Sequence, residues 1–237
     1  MVIGPFINAG AVLLGGVLGA VLSQSLPERI RLSMPSVFGL ASLGIGILLI
    51  IKCANLPVMV LATLLGTLIG EFCSLEKGIN SVVGKAKNLI TRPGKAKHGA
   101  HESFIQNYVA IIILFCASGT GIFGAMQEGM TGDPSILIAK AFLDFFTATI
   151  FATMLGVAVA AICVPMLLIQ LALAACAALI LPLTTPAMMA DFSAVGGLLL
   201  LATGLRICGI KMFAVVNMLP ALLIAMPLSA LWIHILA

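Results

Sequence analysis

The segment SILIAKAFLDFFTATIFATMLGVAVAAICVPMLLIQLALAACAALILPL, residues 135–183, decides the fold of this chain. It carries two charged side chains, Lys140 and Asp144, and is otherwise uncharged. A helix needs about 20 apolar residues to cross a bilayer, so the segment is too long for one crossing. We place a break between two spans at Pro165, because proline interrupts helical hydrogen bonding.

The rest of the chain has the same apolar character. Its 237 residues are 62% hydrophobic and 8% charged, whereas soluble domains carry about 25% charged residues. The apolar runs are continuous, whereas the strands of a transmembrane barrel alternate over roughly ten residues. The sequence therefore predicts an all-α polytopic transmembrane helical bundle that forms a single integral-membrane domain over residues 1–237.

About eight spans are predicted, and seven is the alternative if the long segment is divided differently. The eight runs are 3–23, 36–52, 56–74, 104–126, 135–161, 163–183, 192–210 and 214–236. With eight spans, Arg29, Arg31, Arg206 and Lys211 all fall on one side, which the positive-inside rule assigns to the cytoplasm. Both termini are then expected outside. Seven spans would scatter these basic groups.

A basic loop, residues 75–103, separates spans three and four and is expected on the cytoplasmic side. It contains half of the 12 basic residues, namely Lys77, Lys85, Lys87, Arg92, Lys95 and Lys97. This clustering is typical of the positive-inside bias and does not by itself indicate nucleic-acid binding. The expected partner is therefore the lipid bilayer, and no nucleic acid is expected.

The sequence lacks the patterns of enzymes and metal proteins. The six cysteines are scattered singly, so neither a disulfide framework nor a zinc site is indicated. No GxSxG, P-loop or HExxH motif is present, and the GxG runs lie within spans. An intramembrane aspartyl protease would want paired aspartates, which the spans do not offer. We expect no enzyme activity, no metal and no cofactor.

Small residues recur at helical spacing in several spans. They are Asn8, Gly15 and Gly19 in span one, Gly39, Ser42 and Gly46 in span two, Gly66 and Gly70 in span three, and Gly197, Gly204 and Cys208 in span seven. Such stripes predict close helix packing. The stretches ASLGIGIL (41–48), ASGTGIFG (117–124) and LATGLRIC (201–208) also suggest weak internal repeats, with the first and third in opposite directions.

Lys140 and Asp144 form the first candidate site, because charges within lipid cost about 2.5–3.5 kcal/mol each and mark function by default. They lie one turn apart on one helical face, which Thr147 continues and Phe151 ends. One interpretation is a polar pocket that opens to the outside. The other is a neutralising pair that serves packing alone.

Span four offers a second polar surface. Asn107, Ser118 and Gly121 share nearly one face, and the run SGTG (118–121) includes Thr120. This run could unwind locally and offer backbone groups to an ion or anion. The alternative is a glycine run that serves helix packing.

Three further polar residues occur within or at the ends of spans. Glu71 and Arg206 are expected near the cytoplasmic boundary, where they either pair as an inner gate or extend separately to the interface. We favour the second. Gln170 is isolated in span six and is expected to make a helix–helix hydrogen bond.

Several stretches resemble the YqgA/YdfK family of bacterial inner-membrane proteins of unknown function. They are MVIGPFINA (1–9), HESFIQNYVAI (101–111), FCASGTGIFGAM (115–126), EGMTGDPSILIAK (128–140), DFSAVGGLLLLATGLRICGIKMF (191–213) and VNMLPAL (216–222). The resemblance spans essentially the whole chain and is weakest in the basic loop. It implies a multi-pass inner-membrane protein, so the termini expected outside would be periplasmic. It supplies no substrate and no site residue.

Two functions remain open from the sequence. The first is a transporter or channel for a small polar or ionic solute, with Lys140 and Asp144 at its site. The second is a structural or regulatory membrane subunit without transport. In either case we expect a homo-oligomer, because the small spans leave little room for a pathway within one copy.

Overall fold

The protein was analysed as a computed structural model. It describes residues 2–22, 27–78, 81, 108, 111–112, 115–116 and 118–236. Most of the basic loop and the candidate residue Asn107 lie outside the described residues.

The described part of the chain is almost entirely helical and contains no strand. Its main helices are α1 (Gly4–Val21), α2 (Glu28–Ile50), α3 (Leu56–Phe72), α4 (Gly119–Thr131), α5 (Ser135–Leu155), α6 (Cys163–Ile180), α7 (Pro186–Ile207) and α8 (Pro220–Leu236). Short 3-10 helices occupy Gly156–Ile162 and Leu181–Leu183, and a helical turn occupies Val215–Met218.

Among the residues that the structure describes, length and apolarity identify four segments that can cross a membrane. They are Gly4–Val21, Ser135–Leu183, Pro186–Ile207 and Val215–Ile235. Two shorter apolar helices, Ser36–Ile50 and Leu56–Phe72, accompany them. The predicted helical membrane bundle is confirmed. The longest segment has 49 residues and is divided into two helices that run in opposite directions.

The break between α5 and α6 lies at Gly156, so the prediction of a break at Pro165 was wrong. Gly156 has φ 68° and ψ −160°, a conformation that only glycine adopts without strain. Pro165 is the third residue of α6. A proline is tolerated there, because the amides of the first helical turn have no partner within the helix.

The small-residue stripes bring helices into close contact, as predicted. Gly39 of α2 lies against Gly204 of α7, and Gly46 lies against Gly197. A Cβ added at Gly46 would lie 2.7 Å from the carbonyl oxygen of Gly197, so the two backbones nearly touch. Since residue numbers rise along one helix as they fall along the other, α2 and α7 are antiparallel. The repeats at 41–48 and 201–208 therefore run in opposite directions.

The first helix packs along α5 in the parallel sense. Gly15 lies against Ala148 and Gly19 against Ala152. In contrast, α3 and α8 are antiparallel, as the contacts of α3 with Ala221 and Asn217 show. These three relative helix directions are the ones expected when eight spans cross the membrane in alternating directions.

The helix directions define two ends of the bundle. At the first, called the Glu128 end, α1, α3, α5 and α7 begin, and Ser193 contacts Gln127 at 3.2 Å. At the opposite Arg206 end, α7 finishes and the chain turns into Val215–Met218. Two apolar cores fill the bundle, one around α7 and one where α1, α5 and α6 meet. The second core holds the candidate site.

Candidate functional site

Lys140 and Asp144 face inward from α5 and form an ion pair with each other. Both side chains are buried. They share one face because residues four apart in a helix lie one above the other. That face meets α1 and α4 instead of lipid, since the glycines of both helices allow close approach.

Neighbouring helices add polar and polarisable groups around the ion pair. Asn8 of α1 is buried beside the Asp144 carboxylate, and its Nδ2 lies 3.6 Å from the sulfur of Met166. The Lys140 ammonium stands 5.8 Å from the centre of the Phe115 ring, within reach of a cation–π interaction. The site is therefore built by α1, α4, α5 and α6 together with Phe115.

The helix of span four is interrupted at Ser118. This residue has φ −68° and ψ 127°, an extended conformation between helical Cys116 and the first residue of α4. A Cβ at Gly121 would lie 2.9 Å from Cε of Lys140, and one at Gly124 would lie 3.0 Å from Ile136. Since α4 and α5 are antiparallel, the interruption falls at the depth of Asp144. Of the SGTG run, Ser118 alone is extended, whereas Gly119, Thr120 and Gly121 are helical and belong to α4, so the run as a whole is not unwound.

Three buried polar atoms near the ion pair have no hydrogen-bond partner within the described ranges. They are both amide atoms of Gln170 and the Oδ1 atom of Asn8. Gln170 is 2% exposed and Asn8 is 0% exposed, so bulk water does not solvate them. Gln170 lies close to the ion pair, because its Nε2 would be 3.4 Å from a Cβ placed on Gly121. The expected helix–helix hydrogen bond of Gln170 does not form among the described residues.

The structure brings together part of the predicted site. Thr120 is buried on α4. Thr147 is half-buried and donates to the carbonyl oxygen of Leu143 at 2.7 Å, so its hydroxyl serves its own helix. Ser118 is half-buried at the interruption. Asn107 lies outside the described residues.

The predicted inner pair of Glu71 and Arg206 is not formed. Arg206 instead contacts Glu76 at 2.8 Å and donates to the carbonyl oxygen of Phe213 at 2.9 Å. Glu71 is exposed. The reason is the chain after α3, which turns at Ser74 with φ 48° and is fixed by a 2.7 Å bond from the Glu76 amide to Asn217.

Two buried carboxylates were not recognised in the sequence as site or structural residues. Glu128, 1% exposed, accepts hydrogen bonds from the amides of Ile3 and Gly4 at 2.7 and 2.9 Å. Asp191, 0% exposed, accepts from the amides of Ala54 and Asn55 at 3.1 and 2.7 Å. Glu128 thus caps α1, whose first amides need partners, and Asp191 fixes the two residues that precede α3.

The two carboxylates also place negative charge at the positive ends of two helix dipoles. Asp191 receives further bonds from Ser229 at 2.6 Å and from the Asn55 side chain at 3.0 Å. These partners occupy the carboxylate, so Asp191 acts as a structural anchor. The sequence does contain a signal for one cap. Ile3 precedes α1 at the capping position, where a residue able to cap is usual, so a distant group must replace it.

Burial alters the acid–base properties of Cys53, which lies outside the helical spans. Burial, followed by the nearby Asp191 charge, raises the pKa of its thiol. The thiol is therefore kept neutral and is a weak nucleophile. No group of three or more metal-ligating side chains occurs in the part of the chain that the structure describes.

Comparisons with known proteins agree on a membrane protein family. The profile of the family "Protein of unknown function (DUF554)" matches residues 3–230. The chain is 80% identical to "Uncharacterized protein YqgA" of Escherichia coli (strain K12) over 98% of both chains. It is 24% identical to "Uncharacterized membrane protein YdfK" of Bacillus subtilis (strain 168) over 93% of both chains. No solved structure matches.

Proposed function

We propose that this chain, which belongs to the DUF554 family of proteins of unknown function, is a transporter or channel for a small polar or ionic solute. One observation carries the proposal. The buried Lys140–Asp144 pair adjoins unpaired polar atoms of Gln170 and Asn8, at the depth where the helix of span four is interrupted. Buried polar groups nearly always have partners, so unpaired ones favour a bound ligand.

Each group has a role in this proposal. Asp144 accepts a proton or a cation, and Lys140 either neutralises it or holds an anionic group of the solute. The interrupted backbone at Ser118 supplies carbonyl or amide groups, as broken helices do in transporters. Non-helical backbone at membrane depth is tolerated where it is buried in protein or lines a water-filled cavity.

Access is proposed from the Glu128 end. Beyond Thr147, the face of α5 continues in Ala148 and Ala152, which are fully buried against the glycines of α1. This contact closes the site towards the Arg206 end. By the positive-inside rule, the Glu128 end and both termini face the periplasm and the protein resides in the inner membrane. Enzyme activity is not part of the proposal.

A structural or regulatory subunit is the second candidate, and we propose a homo-oligomer in either case. Gly10 and Gly44 favour association, because a Cβ at either position would meet open space. Close approach of another helix is possible at such sites. The basic loop would be the point where a cytoplasmic partner docks in the regulatory alternative.

The test is solute flux into liposomes that contain the purified full chain. Parent protein is compared with Asp144→Asn and Lys140→Met, and Ser42→Ala serves as the matched control. Ser42 is also a buried polar residue, but its hydroxyl bonds to the carbonyl of Leu200 at 3.0 Å, away from the site. We expect flux in parent and control and its loss in both site variants. Equal flux in all four proteins would contradict the site, and a complete absence of flux would favour the structural candidate.

A further inference from the structure

The donors and acceptors around the ion pair divide into two sets. Near the Asp144 carboxylate lies an unpaired acceptor, Oδ1 of Asn8. Near the Lys140 ammonium lies the amide of Gln170, since both groups approach Gly121. Its donor Nε2 and its acceptor Oε1 are both unpaired. A lysine ammonium has three hydrogens and a glutamine amide has two, so this second set has donors to spare. One half of the site therefore suits a cation and the other half suits an anion.

The ion pair restricts the net charge of the solute. Lys140 and Asp144 neutralise each other, and they are the charged side chains that the described residues contribute to the site. Glu128 lies two turns further along α4 from Gly121, and the amides of Ile3 and Gly4 occupy it. A solute ion would compensate one member of the pair and leave the other unpaired in a buried place, which is costly.

We propose that the solute is a small zwitterion, with an ammonium and a carboxylate group, and that Gln170 and Asn8 select it. This inference rests on the proposed transport function. The solute separates the Lys140–Asp144 contact and replaces it with two contacts of the same kind. Its ammonium binds Asp144 and Asn8, and its carboxylate binds Lys140 and Gln170. The unpaired Oδ1 atom of Asn8 and the unpaired Nε2 atom of Gln170 then each acquire a partner.

The close packing around Gly121 limits the size of the solute. A Cβ at Gly121 would lie 2.9 Å from Cε of Lys140 and 3.4 Å from Nε2 of Gln170, so these groups pack closely around the glycine. Apolar side chains adjoin both halves of the site, with Phe115 beside Lys140 and Met166 beside Asn8. The solute is therefore a compact molecule, and glycine and L-alanine are suitable probes.

The experiment measures uptake into vesicles of phosphatidylethanolamine and phosphatidylglycerol that contain the full chain. The zwitterionic probes are glycine and L-alanine. Methanesulfonate, tetramethylammonium and erythritol represent permanent anions, permanent cations and uncharged polar solutes. Parent protein is compared with Gln170→Met, with Gln170→Asn and with the control Ser42→Ala. Gel filtration confirms that each variant is folded, and Gln170→Asn keeps an amide if Gln170→Met fails to fold.

We expect the parent and the control to take up glycine or L-alanine, and Gln170→Met to raise KM about ten- to hundredfold. This range follows from the loss of a hydrogen bond to a charged group. Gln170→Asn should lie between the two. Unchanged KM in Gln170→Met would overturn the role of Gln170. Uptake of an ion or of erythritol without the zwitterions would overturn the solute class and leave transport intact. Absence of all uptake would instead remove the proposed function itself.

Discussion

At the scale of single residues, the two charges of α5 offer a direct test of why they are buried. Asp144→Asn leaves the Lys140 ammonium buried without its carboxylate, which costs about 3–5 kcal/mol of folding stability. The double variant Lys140→Met/Asp144→Leu removes both charges with little change of volume. Because no charge is then unpaired, we expect the single variant to melt well below the parent and the double variant close to it. Thermal unfolding in detergent measures both.

The double variant also separates the two interpretations of the pair. If the charges serve a solute, the double variant is stable and inactive in flux. A double variant as unstable as Asp144→Asn would mean that the two side chains are needed for the packing of α5 against its neighbouring helices. The packing interpretation of Lys140 and Asp144 would then be preferred.

A second prediction at this scale concerns pH. Hydrogen bonds from the Ser135 hydroxyl and then from the Ser135 amide lower the pKa of Asp133, an exposed residue at the start of α5. Its pKa in the folded state therefore lies below the unfolded value of about 3.9. The stabilisation is present above that value and is lost as pH falls through the folded pKa.

Asp133→Asn keeps an oxygen that can accept from Ser135 but removes the charge. We expect a small difference in stability from the parent at pH 6, less than about 1 kcal/mol, because the group is exposed. The difference should shrink towards pH 3.5, as the parent carboxylate becomes protonated. Melting temperatures at the two pH values measure it. A difference that stays constant or widens in acid would show that the charge of Asp133 does not stabilise α5.

At the scale of helices, two glycines that look alike in the sequence should respond in opposite ways to alanine. Gly156 joins α5 to α6 with φ 68° and ψ −160°, where a Cβ is strained by about 1–3 kcal/mol. Gly44 lies within α2, and a Cβ there meets open space. Alanine is favoured over glycine in a helix by about 0.8–1.0 kcal/mol.

Gly156→Ala should therefore lower the melting temperature in detergent, whereas Gly44→Ala should leave it unchanged or raise it. The two variants control for each other, since they make the same chemical change. Equal destabilisation would indicate that Gly44 packs against another helix, as it would in an oligomer. Equal tolerance would mean that the chain does not turn at Gly156.

Helices and their contact faces could be predicted because they depend on local patterns. The apolar runs predicted where the helices lie. The glycines at positions 39, 46, 197 and 204 predicted which helix faces pack together. The turn between α5 and α6 could not be placed in this way. Proline marks an interruption by its chemistry, whereas the backbone angles of Gly156 depend on how α6 returns along α1.

The two carboxylates that bind helix starts far away in the chain could not be predicted, for a related reason. Glu128 contacts the start of α1, and Asp191 contacts the start of α3, across more than a hundred residues in each case. A helix that begins at Gly4–Pro5 with isoleucine before it needs a capping group, but the sequence does not say which one supplies it. Tertiary packing decides that choice.

At the scale of the whole molecule, only part of the candidate site could be predicted from the sequence. Lys140 and Asp144 are neighbours on one helix, so their pairing followed from spacing alone. Asn8 and Gln170 come from helices far away in the chain, and only the fold brings them to the pair. The same limit explains why Glu71 was considered as a partner for Arg206, whereas the turn after α3 presents Glu76.

The orientation of the bundle gives a final prediction. Lys52 lies at the Glu128 end near Asp133, and Lys211 follows α7 at the Arg206 end. Both are exposed, so Lys52→Cys and Lys211→Cys are matched reporters once the six native cysteines are replaced. If the basic groups lie in the cytoplasm, a membrane-impermeant maleimide should label the first variant in intact spheroplasts. It should label the second only after the membrane is permeabilised.

The reverse pattern would place the Glu128 end in the cytoplasm. The proposed access to Lys140 and Asp144 would then open inward, and the positive-inside rule would fail for this chain. Labelling of both variants from outside would have a different meaning. Lys52 and Lys211 would then lie on the same side of the membrane, with an even number of crossings between them. That arrangement would contradict the antiparallel order of α2 and α7. Labelling at Lys52→Cys alone is the result that the helix directions and the charge distribution both require.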